Sequence, residues 1–250
     1  MNHANKQATP VAIVTGAARR IGAAIAQSLH QAGFRVVIHC HHSQNAARAL
    51  ADDMNRQRKN SALVIPADLT IKDVAIQLIQ DTIDWAGQLD LLVNNAAIFM
   101  PTSMDTLNDE PWDTLFATNV RAPFWLSHTA YPFLARNGGS VINITDIHAE
   151  RALKGYSAYC QSKAALTMQT KSLAREFAPL VRVNAIAPGA IAWPEHDNVL
   201  SEDLQQKIIA KTPLKQHGNP GFIAQAVLAL IDNPFITGQI LSVDGGRGLV

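Results

Sequence analysis

Short apolar runs alternate with amphipathic stretches along almost the whole chain, and this alternation restricts the fold more than any other feature. Val11–Thr15, Arg35–Cys40, Ser61–Pro66, Leu89–Asn94, Ser140–Thr145, Arg182–Ala187 and Gln239–Val243 read as strands. They are rich in Val, Ile and Leu and mostly apolar on both faces, the pattern of parallel strands covered by helices on both sides. Between them, Arg20–Ala32, Gln44–Arg58, Lys72–Trp85, Trp112–Arg136, Tyr156–Phe177 and Phe222–Asp232 read as amphipathic helices. Repeated β-α units imply an α/β fold: one doubly wound domain with a parallel seven-stranded sheet flanked by helices and right-handed crossovers. No Pro-, Gly- or Ser-rich linker interrupts residues 1–250, which are read as one domain. Residues 190–221, with Pro194, Pro213 and Pro220, are the least regular stretch. An excursion at the carboxyl end of a strand is where a substrate lid is expected.

The net charge of +1 gives no electrostatic footprint for nucleic acid. Cys40 and Cys160 have no metal-ligand spacing, and the nine histidines show no His-x-x-x-His pair, so no metal site is expected. The segment Met1–Pro10 lacks an apolar signal-peptide region, and no run of about 18 apolar residues occurs. A cytoplasmic location without membrane attachment is the expectation.

Chemistry concentrates where strands end. Thr15-Gly16-Ala17-Ala18-Arg19-Arg20-Ile21-Gly22 closes the first strand and opens a helix. Such a glycine turn brings backbone amides and the positive end of a helix to a pyrophosphate. The usual middle glycine is replaced by Arg20. An NAD site calls for an acid after the second strand; here the sequence runs His39-Cys40-His41-His42-Ser43, with no acid before Asp52. Arg19, His42 and Ser43 therefore point to a 2′-phosphate, hence NADP, although solvated loop polars would look the same. Asp68-Leu69 follows the third strand, where the Asp suits either an adenine edge or a helix cap. Asn94-Asn95-Ala96-Ala97 closes the fourth. Asn119 lies in a helical pattern that mildly disfavours it. Phe99, Trp125 and Trp193 are candidates for a flat aromatic site. Tyr159 and Lys163 share a helix face, and Asp146 stands 13 residues before the tyrosine. An ammonium beside a phenol is expected to depress its pKa and make it a usable proton donor. No Gly-x-Ser-x-Gly elbow is present, which argues against acyl-enzyme hydrolysis.

Over essentially its whole length the chain resembles the short-chain dehydrogenase/reductase family, a Rossmann-type fold. The resemblance rests on the Thr-Gly-x-x-x-x-x-Gly opening, Asn94-Asn95-Ala96, Asn119, Tyr159 with Lys163, Pro188-Gly189 and Asp244-Gly245-Gly246. Arg20 in place of a glycine, and Asp146 where the family usually has a catalytic Ser, are similar to the pteridine reductase branch. So are Asn94–Phe99, the His-x-His-x-Ser loop His39–Ser43, and a Glu195-His196-Asp197 segment like that of dihydromonapterin reductases. Trypanosomatid pteridine reductases carry Arg where this chain has His42.

The resemblance implies an NADPH-dependent reductase acting on a pterin ring, taking a dihydropterin or dihydrofolate to its tetrahydro form. It implies catalytic Asp146, Tyr159, Lys163 and Asn119. It implies cofactor contacts from Gly16, Arg19, Arg20, Ile21, His41, His42, Ser43, Asp68, Leu69, Asn95, Ala96, Pro188 and Gly189. Arg20, Phe99, Asp146, Tyr159 and Trp193 would meet the substrate, and the assembly would be a homotetramer. Two alternatives stay open: a reductase of a carbonyl such as a 3-oxoacyl thioester or a sugar ketone, and a non-catalytic NADP(H)-sensing protein.

Overall fold

A computed structural model describes residues 9–105, 108–193 and 200–250. Seven strands form one parallel sheet: β1 (Val11–Val14), β2 (Arg35–Cys40), β3 (Ala62–Pro66), β4 (Leu91–Asn94), β5 (Ser140–Ile144), β6 (Arg182–Pro188) and β7 (Ile240–Val243). Each begins and ends within two residues of its expected position. The order across the sheet is β3-β2-β1-β4-β5-β6-β7, so the chain reverses its direction of travel between β1 and β4. A crevice opens outside the carboxyl ends of strands at such a switch point.

The apolar runs sort their side chains alternately to two cores. Ala12 and Val14 of β1, with Val36 and Ile38 of β2, pack under α1 (Arg20–Gln31), α2 (Gln44–Gln57) and α8 (Pro220–Asp232). Val11, Ile13 and Val37 pack on the other face under α3 (Lys72–Ala86), α5 (Ala122–Asn137) and α6 (Ser157–Phe177). Both faces are buried, which is why the strands read as continuous hydrophobic runs rather than alternating ones.

Two expectations are corrected. The long helix expected over Trp112–Arg136 is instead α4 (Asp109–Phe116), a π-helical turn at Ala117–Arg121, and α5. Pro123 at the start of α5 lacks the amide a continuous helix would need there. Part of the irregular stretch 190–221 is helix: α7 (Glu202–Lys211), whose N-cap Ser201 accepts a hydrogen bond from the Leu204 amide. Its residues are good helix formers, but its large apolar positions are few, Leu204, Ile208 and Ile209, and none is buried, so it gives only a short, weak helical pattern. Among the described residues no helix is long and apolar enough to cross a membrane.

Candidate active site

The carboxyl ends of β4 and β5 and the first turns of α6 converge on Tyr159. After β5 the chain turns into a short 3₁₀ segment, Ile147–Ala149, capped by Asp146, whose Oδ1 accepts from the His148 amide at 2.8 Å. That cap fixes the carboxylate and leaves Oδ2 to accept the Tyr159 hydroxyl at 2.7 Å. One turn further along α6, Lys163 Nζ donates to the Ile144 carbonyl at 2.9 Å. Tyr159 and Lys163 are both buried, 4% and 2% exposed.

The expected effect of Lys163 on Tyr159 is corrected. The phenol is pushed well above its ordinary value, first by burial and then by the charge and hydrogen bond of Asp146, with Cys160 adding to the effect. The carboxylate touches the phenol oxygen, whereas the ammonium lies 5.9 Å from the ring centre and is directed to a carbonyl. Tyr159 is therefore a firmly protonated phenol. Burial lowers Lys163 to about 8 from 10.5, with Asp146 opposing the fall, so the ammonium gives up a proton close to neutral pH.

Asn119 sits in the π-helical turn, a feature that re-aims side chains. Its Oδ1 accepts from the Ile98 amide at 2.9 Å; its Nδ2 donates to Ile98 O and to Ser162 Oγ, both at 3.0 Å. Ser162 in turn donates to the Tyr159 carbonyl at 2.7 Å. Asn119 thus ties the segment after β4 to the turn of α6 that carries the tyrosine. Phe99, on that segment, stacks on Tyr156 with centroids 4.5 Å apart and meets Tyr159 edge-on at 4.8 Å. Thr102 reinforces the junction: its amide donates to Gly155 O at 2.6 Å and its hydroxyl accepts from the Ala158 amide at 3.3 Å. Trp125 faces Lys72, 3.8 Å from the ammonium, on a helical surface instead of this site.

The glycine turn lies on the other side of the switch point. Arg20 adopts φ +54°, the left-handed conformation a glycine would take more easily. Its guanidinium donates to the carbonyls of Ala192 at 2.9 Å and Trp193 at 2.8 Å, joining the turn to the start of the expected lid. Trp193 stacks on His217 at 4.2 Å. Glu195, His196 and Asp197 lie outside the described residues. Asn95 Nδ2 donates to the carbonyls of Thr15 and Gly16, and the Asn95 and Ala96 amides both donate to the Thr15 hydroxyl. Gly189 crosses Asp244 where a β-carbon would come within 2.7 Å of its Cα, and it follows Pro188 at the end of β6.

His41 and His42 are exposed, with ring centroids 3.6 Å apart and planes tilted by 31°; Arg19 and Arg20 are also exposed. Ser43 stands at the N-cap of α2 without using its hydroxyl as a cap. Asp68 Oδ1 accepts from both the amide and the hydroxyl of Thr70, which holds its carboxyl below the ordinary range. The local turn therefore uses one of its oxygens. Leu69 is a core side chain, leaving only its backbone to face a ligand. Among the described residues, no cluster of three His, Cys, Asp or Glu could hold a metal.

His39 opens the His-x-His-x-Ser loop, yet no role of its own is expected of it; it is a polar side chain 2% exposed within β2. Beyond that loop, its sequence signal is a histidine inside an apolar strand. Burial, aided by the charge of His41 and opposed by a bond to the Ala67 carbonyl, lowers it to about 4 from 6.5. The unfolded chain therefore binds a proton that the folded chain refuses between about pH 6.5 and 4, so stability rises with pH across that window. The contribution is complete above 6.5 and is lost on acidification. Between pH 7 and 5 the wild type is expected to lose about 2 kcal/mol more unfolding free energy than His39→Asn. Urea unfolding at the two pH values checks this, and equal losses would refute it.

A sequence profile described as enoyl-(acyl carrier protein) reductase matches residues 16–247. An uncharacterized oxidoreductase of Mycobacterium tuberculosis is 36% identical over 241 residues, spanning 94% of this chain and 91% of that protein. A 3-oxoacyl-(acyl-carrier-protein) reductase of Staphylococcus epidermidis is 33% identical over 239 residues, spanning 94% and 97%. Among solved structures, FolM alternative dihydrofolate reductase 1 from Brucella canis, complexed with NADP, is similar with a TM-score of 0.90 at 34% identity. That likeness covers 97% of this chain and 95% of the other. With a tyrosine and lysine one turn apart on α6 and a glycine turn after β1, the chain belongs to the short-chain dehydrogenase/reductase family of oxidoreductases.

Proposed function

We propose that the chain is an NADPH-dependent reductase of a pterin ring, converting a dihydropterin or dihydrofolate to the tetrahydro form. The observation that carries this reading is the carboxylate of Asp146, hydrogen-bonded by Tyr159 at 2.7 Å. A carbonyl reductase must donate a hydrogen bond to a developing alkoxide, and an ionised carboxylate can only accept. Reduction of a ring C=N bond needs something else: a proton delivered to nitrogen, and an acceptor for the ring's amino and N–H groups.

The donor set suits a dinucleotide with an additional phosphate. Arg19 and Arg20 flank the N-terminus of α1, whose first turn holds no acid. His41, His42 and the Ser43 hydroxyl lie after β2, where the chain carries no acid before Asp52, and the two histidines act electrostatically on Asp68. NADPH, when bound, supplies the hydride. Ile21, Asn95, Ala96, Pro188 and Gly189 would hold it along the carboxyl edge of the sheet. Tyr159 keeps its proton on Oη at neutral pH and passes it towards the ring nitrogen. Lys163, with a pKa of about 8 and one turn further along α6, would supply the positive charge beside the pair. Phe99 and Trp193 would cover the flat ring, and Arg20 would face its carbonyl edge. The reading includes a cytoplasmic homotetramer, for which the exposed Phe124 of α5, Met168 of α6 and the C-terminal Leu249 and Val250 offer apolar surface.

The likeness to the FolM dihydrofolate reductase supports this reading. The likeness to 3-oxoacyl reductases favours a second one, reduction of a thioester ketone. NADPH oxidation measured with dihydrobiopterin, dihydromonapterin, dihydrofolate and a 3-oxoacyl thioester, and repeated with NADH, separates them. A pterin or folate is expected to give the highest kcat/KM, with NADPH preferred. A thioester turned over faster than all three would replace the proposal with the second reading.

A further inference from the structure

Three hydrogen bonds meet at His39. The Gly16 amide donates to its Nδ1 at 3.1 Å, its Nε2 lies 3.0 Å from the Ala67 carbonyl, and the Ala17 amide donates to its main-chain oxygen at 2.8 Å. Gly16 and Ala17 form the turn between β1 and α1. Ala67 opens the loop between β3 and α3 that carries Asp68. One residue of β2 therefore joins two turns at the carboxyl edge of the sheet. The partners fix its state: an amide requires a lone pair on Nδ1, a carbonyl requires a hydrogen on Nε2, and the imidazole is neutral with its proton on Nε2.

Gly16 is gripped from both sides. His39 holds its N–H, and Asn95 holds its carbonyl from the opposite strand at 3.1 Å. A β-carbon on Gly16 would come within 3.0 Å of the Ala96 Cα. With the Gly16 and Ala17 amides turned inward, the amides left to face a ligand's phosphates are those of the first turn of α1, which have no intrahelical partner.

We propose that His39 is the positioning residue of the cofactor cradle: by seating the glycine turn it sets where the first turn of α1, with Arg19 and Arg20, meets the phosphates of NADPH. The assignment rests on the cofactor reading above. An acceptor at the Nδ1 position is the essential element. Without it the partly buried Gly16 amide lacks its partner, and the turn must rotate to satisfy it.

The test compares His39→Asn with His39→Gln. The Asn side-chain oxygen falls near the place of Nδ1 and keeps the acceptor for Gly16 while losing Ala67. The Gln amide reaches towards Ala67 and leaves Gly16 without an acceptor. NADPH affinity is read by fluorescence titration, alongside urea stability and kcat at saturating NADPH. His39→Gln is expected to weaken NADPH binding roughly tenfold or more, with His39→Asn within about threefold of wild type. The KM for NADPH should rise more than kcat falls. If both variants lose stability yet bind NADPH as the wild type does, or bind it equally weakly, the assignment is overturned. If the wild type binds no NADPH, the cofactor reading itself fails and takes this assignment with it.

Discussion

Replacing Tyr159 by Phe is expected to lower kcat for a dihydropterin by roughly 10²–10⁴-fold, while NADPH affinity stays within a few-fold of wild type. The phenol oxygen is the one atom that Phe removes, and it makes the 2.7 Å bond to Asp146. The edge-on contact with Phe99 and the buried packing of the ring survive. Asp146→Ala should produce a loss of the same order, because it removes the acceptor that orients the phenol. Asp146→Asn separates chemistry from architecture: an amide oxygen can still cap the His148 amide, but the charge is gone. Single-turnover NADPH oxidation with dihydrobiopterin and fluorescence titration of NADPH measure the two quantities. Activity within tenfold of wild type in both Tyr159→Phe and Asp146→Ala would remove the pair from the mechanism. Parallel loss of NADPH binding would mean that the pair acts by holding the cofactor in place.

Gly22→Ala is expected to destabilise the fold by about 2–3 kcal/mol and to weaken NADPH binding more than tenfold. A β-carbon there would lie 2.3 Å from the Gly16 carbonyl oxygen, 2.6 Å from Asn95 Nδ2 and 2.8 Å from the Ala17 Cα. None of these is the free end of a flexible side chain. Asn95 Nδ2 is committed to two carbonyls, and the Gly16 oxygen belongs to the turn itself. The gain in helix propensity from Gly to Ala, about 1 kcal/mol, is too small to offset the clash. α1 must therefore back away from the turn and carry the first-turn amides with it. Urea unfolding and NADPH titration test both parts. Wild-type stability together with wild-type affinity would show that the contact is soft.

Much of the fold could be read from the sequence because two periodicities do not overlap. Strands buried on both faces appear as short apolar runs, and each is followed by a helix whose stripe repeats at 3.6 residues. Where a short helix buries nothing, as in α7, that signal shrinks to Leu204, Ile208 and Ile209. Where a helix changes its winding, as at Ala117–Arg121, the apolar repeat runs on through the irregularity and hides it. The site divides similarly. Asp146, Tyr159, Lys163 and Asn119 carry recognisable spacing, and the structure gathers them with Phe99 around one phenol. The electrostatics of that phenol could not be read, because the neighbour 13 residues away touches its oxygen while the one four residues away points to a carbonyl. The sequence shows His39 as part of the His-x-His-x-Ser loop, but its bonding role was illegible for a related reason. Its meaning lies in bonds to Gly16 and Ala67, 23 and 28 residues distant, and no local pattern announces them.

The pairing of β1 with β4 has a consequence for the order in which the molecule assembles. Ala12 lies opposite Leu91, so this central seam brings together segments separated by most of the first half of the chain. Closing so long a loop is entropically slow, and parallel pairings reward the cost only after it has been met. The β1–β2–β3 layer and the β4–β5–β6 layer each join consecutive units and can form sooner. The switch point, with Arg20 following β1 and Tyr159 on α6 following β5, exists only once the two layers have joined. The proposed dinucleotide site, placed across that seam, would arrive late, as a property of the finished sheet that neither half possesses.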